Sequence, residues 1–364
     1  MTDSSLPIAR SGRGKSVRLT RRTVLTSALA AVTASQGLRF SARAQESIVA
    51  TMVTHDPGLG DHGYNDLADT GGKDAARDLG ITWNVLESLN PGAYGPNVLA
   101  GAEQGKLTVG VGSAMAGAIA QVAPNFPDDA FLLVDAVVEG PNVASITFRE
   151  QEAAFLAGVV AAWSTRTNRV GIIGGQKVAR VERAEYGFRA AIQTENPACV
   201  VSTAYADTFD DPALGKELAL AQFADDVDIV FVIAGETGLG AYEAAKEQGD
   251  GRWIIGSDVD RDFAVSGVQL CVARKGINTA VYLTAEAVVD GAFTAGIQEL
   301  GLAENGVSLE TPGDRVEPAI LSRVGSFQSR ILVGEFSIPT SENELATWTT
   351  PVPAGPAEPC DCGG

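Results

Sequence analysis

Both histidines of the chain lie in one glycine-rich loop, "HDPGLGDH" (55–62), together with Asp56 and Asp61. Imidazoles and carboxylates are the side chains that ligate zinc and that exchange protons in acid–base catalysis. The spacing of these four residues matches no known metal loop, and Asp in Pro/Gly-rich turns commonly bonds to the nearby backbone. No Ser or Cys stands in a nucleophile-elbow pattern that a histidine could activate. We therefore predict no metal, no cofactor and no catalytic residue.

Further loops have the composition of a ligand-binding surface. Several of them end in Gly beside a polar residue, as expected where the backbone must approach a ligand closely. The stretch "GETGLG" is not a Walker loop, because no Lys-Ser/Thr follows it, and it is not a dinucleotide fingerprint in the first βα turn. Phosphate binding is therefore not predicted. The loops cover residues 112–115, 135–140, 174–182, 234–240 and 256–262.

Short β-branched runs alternate with longer helical stretches, a pattern typical of an α/β protein with doubly wound parallel sheets. A long predicted helix, 149–165, separates two such series, which indicates two lobes with a ligand cleft between them. In open α/β sheets, ligands bind beyond the carboxyl ends of the strands. The predicted strands are 47–54, 82–88, 106–112, 130–135 and 143–148 in the first series, and 169–174, 199–205, 228–234 and 253–258 in the second.

The first 44 residues have the order of an export signal. A basic segment (10–22) precedes an apolar one (23–34), and "ARA" (42–44) supplies the small residues of a cleavage site. The pair Arg21-Arg22 favours a twin-arginine signal over the alternative, a plain secretory signal. We expect a periplasmic or otherwise extracytoplasmic protein.

The charge and composition of the chain exclude some classes of binding partner. Residues 1–44 carry eight Lys or Arg and one Asp, so without them the net charge falls from −18 to −25. Such acidity argues against nucleic acid and against an anionic membrane surface. No apolar run after residue 45 is long enough to cross a bilayer, so we expect no direct membrane insertion of the mature chain.

The C-terminal segment is rich in Pro and Gly, and we predict a disordered tail over 341–364. It contains Cys360 and Cys362, a Cys-x-Cys pair that could hold a soft metal or belong to a solvated tail. Cys199 and Cys271 stand alone in apolar contexts. We assign no function to any of the four cysteines.

The loop and helix over 56–80, "DPGLGDHGYNDLADTGGKDAARDLG", resemble the basic membrane protein family, the PnrA-like purine-nucleoside-binding components of ABC importers. The family pattern there is roughly D-x-G-x-x-D-K-S-F-N followed by a helix. Further blocks resemble the family in the same order and spacing, so that the likeness extends over essentially residues 47–340. These blocks are 141–162, 169–175, 209–219, 228–249 and 254–260.

The resemblance implies a type I periplasmic-binding-protein fold, with two doubly wound parallel-sheet lobes joined by a hinge that the chain crosses three times. On this basis we expect residues 45–150 plus about 266–305 in the first lobe, and 151–265 plus about 306–340 in the second. It also implies that the protein captures a nucleoside, closes around it and delivers it to an ABC permease. Closure of two lobes around a ligand is an ordinary hinge motion.

The resemblance also implies roles for individual residues. Tyr64 takes the position of the aromatic that stacks on the nucleobase, and Asn65 that of the Asn that hydrogen-bonds it. Asp258 takes the position of the Asp that binds ribose hydroxyls, where a carboxylate accepting two vicinal hydroxyls forms charge-assisted bonds. The other implied ligand-binding positions are Lys275, with Arg274 as the alternative register, Glu152, the loop Gly235, Glu236 and Thr237, and Ser113 to Met115.

The first loop departs from the family. Counting back from Tyr64, the base-binding Asp of the family falls on His55, with Asp56 one position late. A neutral imidazole offers one donor and one acceptor, whereas a carboxylate only accepts, so the base that is bound stays open. Binding of another small solute, a sensor role and, less favoured, a nucleoside-cleaving enzyme are the alternative functions. A transcription regulator is disfavoured because no helix-turn-helix precedes the lobes.

Overall fold

The computed structural model describes residues 48–56 and 58–349. The predicted signal peptide (1–44), Cys360 and Cys362 lie outside the described residues. The twelve strands of the described part are β1 Val49–Val53, β2 Thr82–Leu86, β3 Leu107–Val111, β4 Ala130–Val134, β5 Val143–Phe148, β6 Arg169–Gly174, β7 Val200–Tyr205, β8 Ile229–Ile233, β9 Trp253–Asp258, β10 Gln269–Lys275, β11 Gly296–Leu300 and β12 Val307–Glu310.

Ten α-helices connect and cover these strands in the described part of the chain. They are α1 Tyr64–Leu79, α2 Tyr94–Gln104, α3 Ala116–Val122, α4 Glu150–Ser164, α5 Ala179–Glu195, α6 Pro212–Ala224, α7 Thr237–Gln248, α8 Ile277–Val289, α9 Pro318–Leu332 and α10 Glu342–Thr347. The alternation of strands and helices predicted for both series is confirmed, with ends shifted by a few residues.

The strands form two six-stranded sheets, ordered β11-β5-β4-β3-β1-β2 and β12-β10-β9-β8-β6-β7. All neighbours are parallel except β10 and β12, which run antiparallel. In each sheet the strand order reverses once, between β1 and β3 and between β6 and β8. Such switch points open a crevice at the carboxyl ends of the strands, where open α/β sheets bind their ligands.

Helix α1 shows how local sequence fixes the entry to this crevice. The Asp61 carboxylate accepts hydrogen bonds from the backbone N–H groups of Gly63 (2.9 Å), Asn65 (2.8 Å) and Asp66 (3.2 Å). It thereby satisfies the first-turn donors that a helix leaves unpaired. At the other end Gly80 adopts φ 71°, the left-handed conformation that terminates helices. These two ends hold Tyr64 at the start of the helix.

The chain passes between the two sheets three times, after β5, after β10 and between β11 and β12. Helix α4 packs on α5 and so belongs with the second sheet, while α8 packs on α1 and belongs with the first. The close approach of α8 depends on Gly71, where a Cβ atom would lie 2.3 Å from the Asn278 carbonyl oxygen. The three crossings that the resemblance implies are therefore present.

Two of the predicted boundaries are wrong. Residues 269–275 do not belong to the first lobe, because β10 pairs with β9 and β12 in the second sheet and the chain crosses only after Lys275. The predicted tail is not disordered over 341–349. There Ser341 caps α10, Leu345 is buried, and the Trp348 ring lies edge-on to Phe155. Residues 350–364 lie outside the described residues.

Among residues 48–56 and 58–349, no helix combines the length and the apolar character needed to span a bilayer.

Candidate functional site

A cavity of about 730 Å³ lies where the carboxyl ends of the two sheets face each other. The first lobe contributes the loops after β1, β3 and β4 together with the start of α1. The second lobe contributes the loops after β6, β7, β8 and β9 and the end of β10. Small-molecule sites have volumes of about 300 to 1,000 Å³ and form at such switch points.

Eight of the twelve predicted ligand-binding residues line this cavity. They come from both lobes, and they include Asp258 at the end of β9, which the resemblance assigned to ribose binding, and Lys275 at the end of β10. The eight are His55, Asp56, Tyr64, Ser113, Gly235, Glu236, Asp258 and Lys275. The predicted binding loops therefore do converge on one cavity.

Asn65 is not part of the cavity wall, contrary to our expectation. It is fully buried, and its side chain is already committed to the loop that precedes it. Its Oδ1 accepts from the His55 backbone N–H (3.2 Å), and its Nδ2 donates to the carbonyls of His55 (3.2 Å) and Gly58 (2.9 Å). Asn65 thus holds His55 in place and has no donor left for a base.

Met115 and Glu152 also lie away from the cavity wall. Met115 is fully buried in the first-lobe core, because the turn after β3 points it inward. Glu152 accepts from Arg149 Nε (2.6 Å) and from the Leu302 backbone N–H (2.7 Å). These bonds join two of the hinge crossings, so Glu152 stabilises the hinge.

Thr237 is the fourth predicted residue outside the wall. Its Oγ1 accepts from the Asp211 backbone N–H (2.9 Å) and donates to the Thr208 carbonyl (3.4 Å). Thr237 therefore fixes the loop after β7, and residues 208–210 of that loop line the cavity.

Lys275 is the centre of a buried charge cluster that joins the lobes. Its Nζ lies 3.0 Å from Asp135 Oδ2, 3.0 Å from Glu150 Oε1 and 3.8 Å from Asp258 Oδ1. It also donates a hydrogen bond to the Tyr64 hydroxyl (2.9 Å). Tyr64 and Asp135 belong to the first lobe, and the other three residues belong to the second. Since the Lys275 side chain is only 4% exposed, water does little to screen these interactions.

The protonation states in the cluster follow from burial and charge together. Burial alone would lower the pKa of Lys275, but the carboxylates of Asp135 and Glu150 outweigh it and raise that pKa well above its usual value. Burial alone would raise the pKa of Asp135, but Lys275 and Arg180 hold it below its usual value. Burial and the nearby Asp135 raise the pKa of Tyr64, so the phenol stays protonated. It donates to Asp135 Oδ2 at 2.6 Å.

Sequence reasoning missed Asp135, Arg180 and Arg183, although it had selected the loops, 135–140 and 174–182, that contain the first two. Arg180 Nε lies 3.5 Å from Asp135 Oδ2 and donates to the Tyr64 hydroxyl at 3.4 Å. Arg183 Nε donates to Glu150 Oε2 at 2.7 Å. The three-residue spacing of the two arginines places them on one face of α5, and this was the available signal.

Two carboxylates occupy equivalent positions in the two lobes. Asp135 follows β4 and Asp258 ends β9, and both have φ 65°. This conformation is uncommon for residues other than Gly and clusters at functional sites. Asp135 Oδ2 accepts short bonds from Tyr64 and Lys275, whereas Asp258 is 22% exposed in its side chain and accepts only a long bond (3.4 Å) from Ser257 Oγ. Asp258 therefore keeps lone pairs for a ligand.

Glu150 has one carboxylate oxygen in a similar state. Its Oε1 lies 3.0 Å from Lys275 Nζ, but the angles are not those of a hydrogen bond, and no other partner reaches it. The side chain is 9% exposed and lines the cavity. This oxygen keeps the capacity to accept a hydrogen bond from a ligand that brings a hydroxyl or an N–H.

His55 lines the cavity with one of its two ring nitrogens bonded to the backbone. Its Nδ1 lies 2.7 Å from the Asp56 carbonyl oxygen. Because a carbonyl only accepts, Nδ1 carries the proton in the neutral ring and Nε2 is left as an acceptor.

Flat apolar surfaces complete the wall. The Phe209 ring follows β7 in the second lobe, the Tyr64 ring belongs to the first lobe, and both residues line the cavity. The Arg180 guanidinium carbon lies 4.5 Å from the Phe209 ring centroid and 6.0 Å from that of Tyr64. Gly235, at φ 56°, brings the next loop close, since a Cβ atom there would lie 3.1 Å from the Phe209 carbonyl oxygen.

The arrangement is suited to binding. Within residues 48–56 and 58–349, no group of three His, Cys, Asp or Glu side chains is arranged to hold a metal ion. The cavity combines aromatic faces, free acceptors and a buried ammonium between two lobes joined by a three-stranded hinge. Fold and site together define a two-lobe solute-binding protein.

The chain belongs to the PnrA-like family of ABC transporter substrate-binding proteins, whose sequence profile matches residues 48–342. It is similar to the ABC transporter nucleoside-binding protein BmpA of Lactococcus lactis subsp. cremoris (strain MG1363), with 30% identity over 341 residues. That match covers 86% of this chain and 97% of the relative. The predicted family is thereby confirmed.

Solved structures share the fold. An ABC transporter solute-binding protein of Aeropyrum pernix K1 is 25% identical with a TM-score of 0.71, covering 82% of this chain and 95% of its own. A transcriptional activator of the comK gene from Bacillus halodurans is 20% identical with a TM-score of 0.72, covering 80% of this chain and 100% of its own. The predicted two-lobe fold is confirmed, and the second likeness concerns the fold alone.

Proposed function

We propose that this chain is the extracytoplasmic binding protein of an ABC importer and captures a purine nucleoside between its lobes. The observation that carries the proposal is the pairing of aromatic faces with unsaturated carboxylates in one interlobe cavity. A nucleoside is a flat ring joined to a sugar with vicinal hydroxyls, and it needs both surfaces at once. The nucleoside-binding relative in Lactococcus lactis supports the same ligand class.

The base occupies the part of the cavity that lies between Tyr64 and Phe209. Stacking on aromatic faces contributes about 1 to 3 kcal/mol per base. The free acceptor of His55, Nε2, receives an N–H from the edge of the base. In this role the neutral imidazole of His55 is an uncharged acceptor, whereas the carboxylate of the family is a charged one.

The sugar occupies the part lined by Asp258, Glu150 and Lys275. Asp258 and Glu150 Oε1 accept from the vicinal hydroxyls, and Lys275 donates to a sugar oxygen. Charge-assisted bonds of this kind are about twice as strong as neutral ones. They also distinguish ribose from deoxyribose.

Closure and release follow from the hinge. The Lys275–Asp135 and Lys275–Tyr64 contacts join the lobes around the ligand, and the permease receives it when they open. In this proposal the chain is exported by a twin-arginine signal in residues 1–44 and acts in the periplasm or an equivalent compartment. In this proposal the chain binds the nucleoside and does not turn it over.

Isothermal titration of the mature chain (45–364) tests the proposal, after unfolding and refolding to remove bound ligand. Inosine, guanosine, adenosine, cytidine and the free bases are compared. We expect saturable purine-nucleoside binding that weakens in Tyr64→Ala and in Asp258→Ala but not in Asp250→Ala, whose side chain is exposed and distant from the cavity wall. A folded protein that binds none of these ligands would refute the ligand assignment.

A further inference from the structure

Arg180 lies against the two aromatic faces that a base would need. Its guanidinium carbon is 4.5 Å from the Phe209 ring centroid and 6.0 Å from that of Tyr64, and the side chain lines the cavity. We call the space between these two rings the aromatic slot. A guanidinium is planar and stacks on aromatic rings, as a nucleobase does. The arginine and a base therefore compete for the same surfaces.

The polar contacts that keep Arg180 in the aromatic slot are long. Its Nε is 3.4 Å from the Tyr64 hydroxyl and 3.5 Å from Asp135 Oδ2, whereas Lys275 Nζ contacts the same two atoms at 2.9 and 3.0 Å. If Arg180 leaves, Asp135 keeps the ammonium of Lys275 and the Tyr64 hydroxyl as partners. No buried group loses its only partner, so departure does not incur the large cost of an orphaned charge.

Arg180 also has a route out of the aromatic slot. Its side chain is 29% exposed, compared with 4% for Lys275. It stands in the first turn of α5, at the rim of the cavity, and a long arginine side chain can extend its charged end into water while its stem stays in place. The guanidinium can thus be rehydrated without movement of the helix.

We propose that Arg180 is a displaceable occupant of the aromatic slot, filling it in the unliganded protein and moving to solvent when a base enters. This inference rests on the proposed nucleoside site and adds a residue that sets its affinity and its rate of loading. Only molecules with an empty slot bind, so the apparent dissociation constant is the intrinsic one divided by the fraction of empty slots. The resulting loss of affinity is the same for every flat base.

Three variants test this role. Arg180→Ala removes the occupant, and Arg180→Lys keeps the positive charge near Asp135 but lacks the planar group. Lys177→Ala is the matched control, because it removes a positive charge from the same segment at a side chain that is 61% exposed and does not line the cavity. Dissociation constants come from calorimetry, rate constants from surface plasmon resonance, and folding is checked by thermal melting.

For an aromatic slot that is empty in about one molecule in ten, Arg180→Ala binds inosine about tenfold more tightly, which corresponds to about 1.4 kcal/mol. The gain is in the association rate, and the ratio of inosine to cytidine affinity stays unchanged. Arg180→Lys also binds inosine more tightly than the wild type does, and Lys177→Ala binds it with unchanged affinity. Weaker binding with faster dissociation would overturn the inference, since Arg180 would then hold the ligand. Unchanged affinity in both Arg180 variants would overturn it as well.

Failure of this inference differs from failure of the proposed function. If the wild-type protein binds inosine and the Arg180 variants do not bind it more tightly, only the role of Arg180 is wrong. If the folded wild-type protein and the Arg180 variants bind no nucleoside, both proposals are wrong.

Discussion

Replacing Lys275 with Met should destabilise the unliganded protein strongly, because it removes the only ammonium from the buried cluster. The two side chains are 4% exposed for Lys275 and 3% for Asp135, and they lie 3.0 Å apart. Breaking such a buried pair by removing one partner costs about 3 to 5 kcal/mol. Part of this cost is relieved, because Arg180 Nε lies 3.5 Å from Asp135 Oδ2 and because opening of the lobes would expose Asp135 to water. We therefore expect the free energy of unfolding to fall by about 3 kcal/mol.

Urea unfolding at neutral pH measures this loss, with Lys106→Met as the control. Lys106 pairs with Asp129 at 2.5 Å, but its side chain is 60% exposed, and exposed pairs contribute about 1 kcal/mol or less. The double variant Lys275→Met/Asp135→Asn should recover part of the stability, because it removes the orphaned carboxylate. If Lys275→Met were no more destabilising than Lys106→Met, the argument from buried charge would be wrong.

The destabilisation should also depend on pH with a defined sign. In the wild type the pKa of Asp135 is lower in the folded than in the unfolded state, so its contribution is present above the unfolded value, about 3.9, and is lost as pH falls through the folded value. In Lys275→Met, burial outweighs the remaining positive charge and raises the pKa of Asp135. The difference in the free energy of unfolding between the variant and the wild type is then largest at neutral pH. It becomes smaller as the pH falls toward the raised pKa of Asp135 in the variant. A stability difference that grows as the pH falls would contradict this prediction.

Three further substitutions separate binding from stability. Tyr64→Phe keeps the ring face but removes the 2.6 Å bond to Asp135, so urea unfolding should show a loss of about 1.5 to 3 kcal/mol while inosine still binds. Asp258→Asn should weaken inosine binding by about 1.5 to 3 kcal/mol in calorimetry and reduce the preference for inosine over 2′-deoxyinosine; an unchanged preference would exclude Asp258 from sugar recognition. Trp348→Ala should cost about 2 kcal/mol in thermal or urea unfolding through lost packing on Phe155, with no effect on ligand affinity.

The sequence was sufficient to predict the elements that carry their own apolar pattern. β6 (Arg169–Gly174) and β9 (Trp253–Asp258) have the predicted ends, because each has a short buried run of Val or Ile that is bounded by Gly or polar residues. β11, "GIQEL" (296–300), was missed. Four of its five residues are exposed, and it is a strand only because its backbone pairs with β5, which lies about 150 residues earlier. Propensity does not register such long-range pairing.

The site divides in a similar way. Tyr64 and Lys275 could be predicted because each stands in a motif at an element end, and the structure also places Lys275 rather than Arg274 in the buried cluster, Arg274 pairing instead with Glu310 at 2.8 Å. Asn65 shows the limit of motif transfer, since its amide holds the preceding loop. Arg180 was missed for the opposite reason, since it stands in no motif. Its neighbours Phe209 and Asp135 come close to it only when both lobes have folded.

Asp135 and Asp258 explain why equivalent positions acquire different roles. Both aspartates have φ 65° at the end of the same strand of their sheets, so the two lobes present a carboxylate to the cleft in the same way. Lys275 then breaks the symmetry, because it comes from the second lobe and lies 3.0 Å from Asp135 but 3.8 Å from Asp258. Asp135 is neutralised across the interface and stabilises closure. Asp258, within the same lobe as the lysine, accepts only the long bond from Ser257 and lines the cavity. In the proposed function, a single buried ammonium thus assigns one carboxylate to lobe closure and the other to ligand recognition.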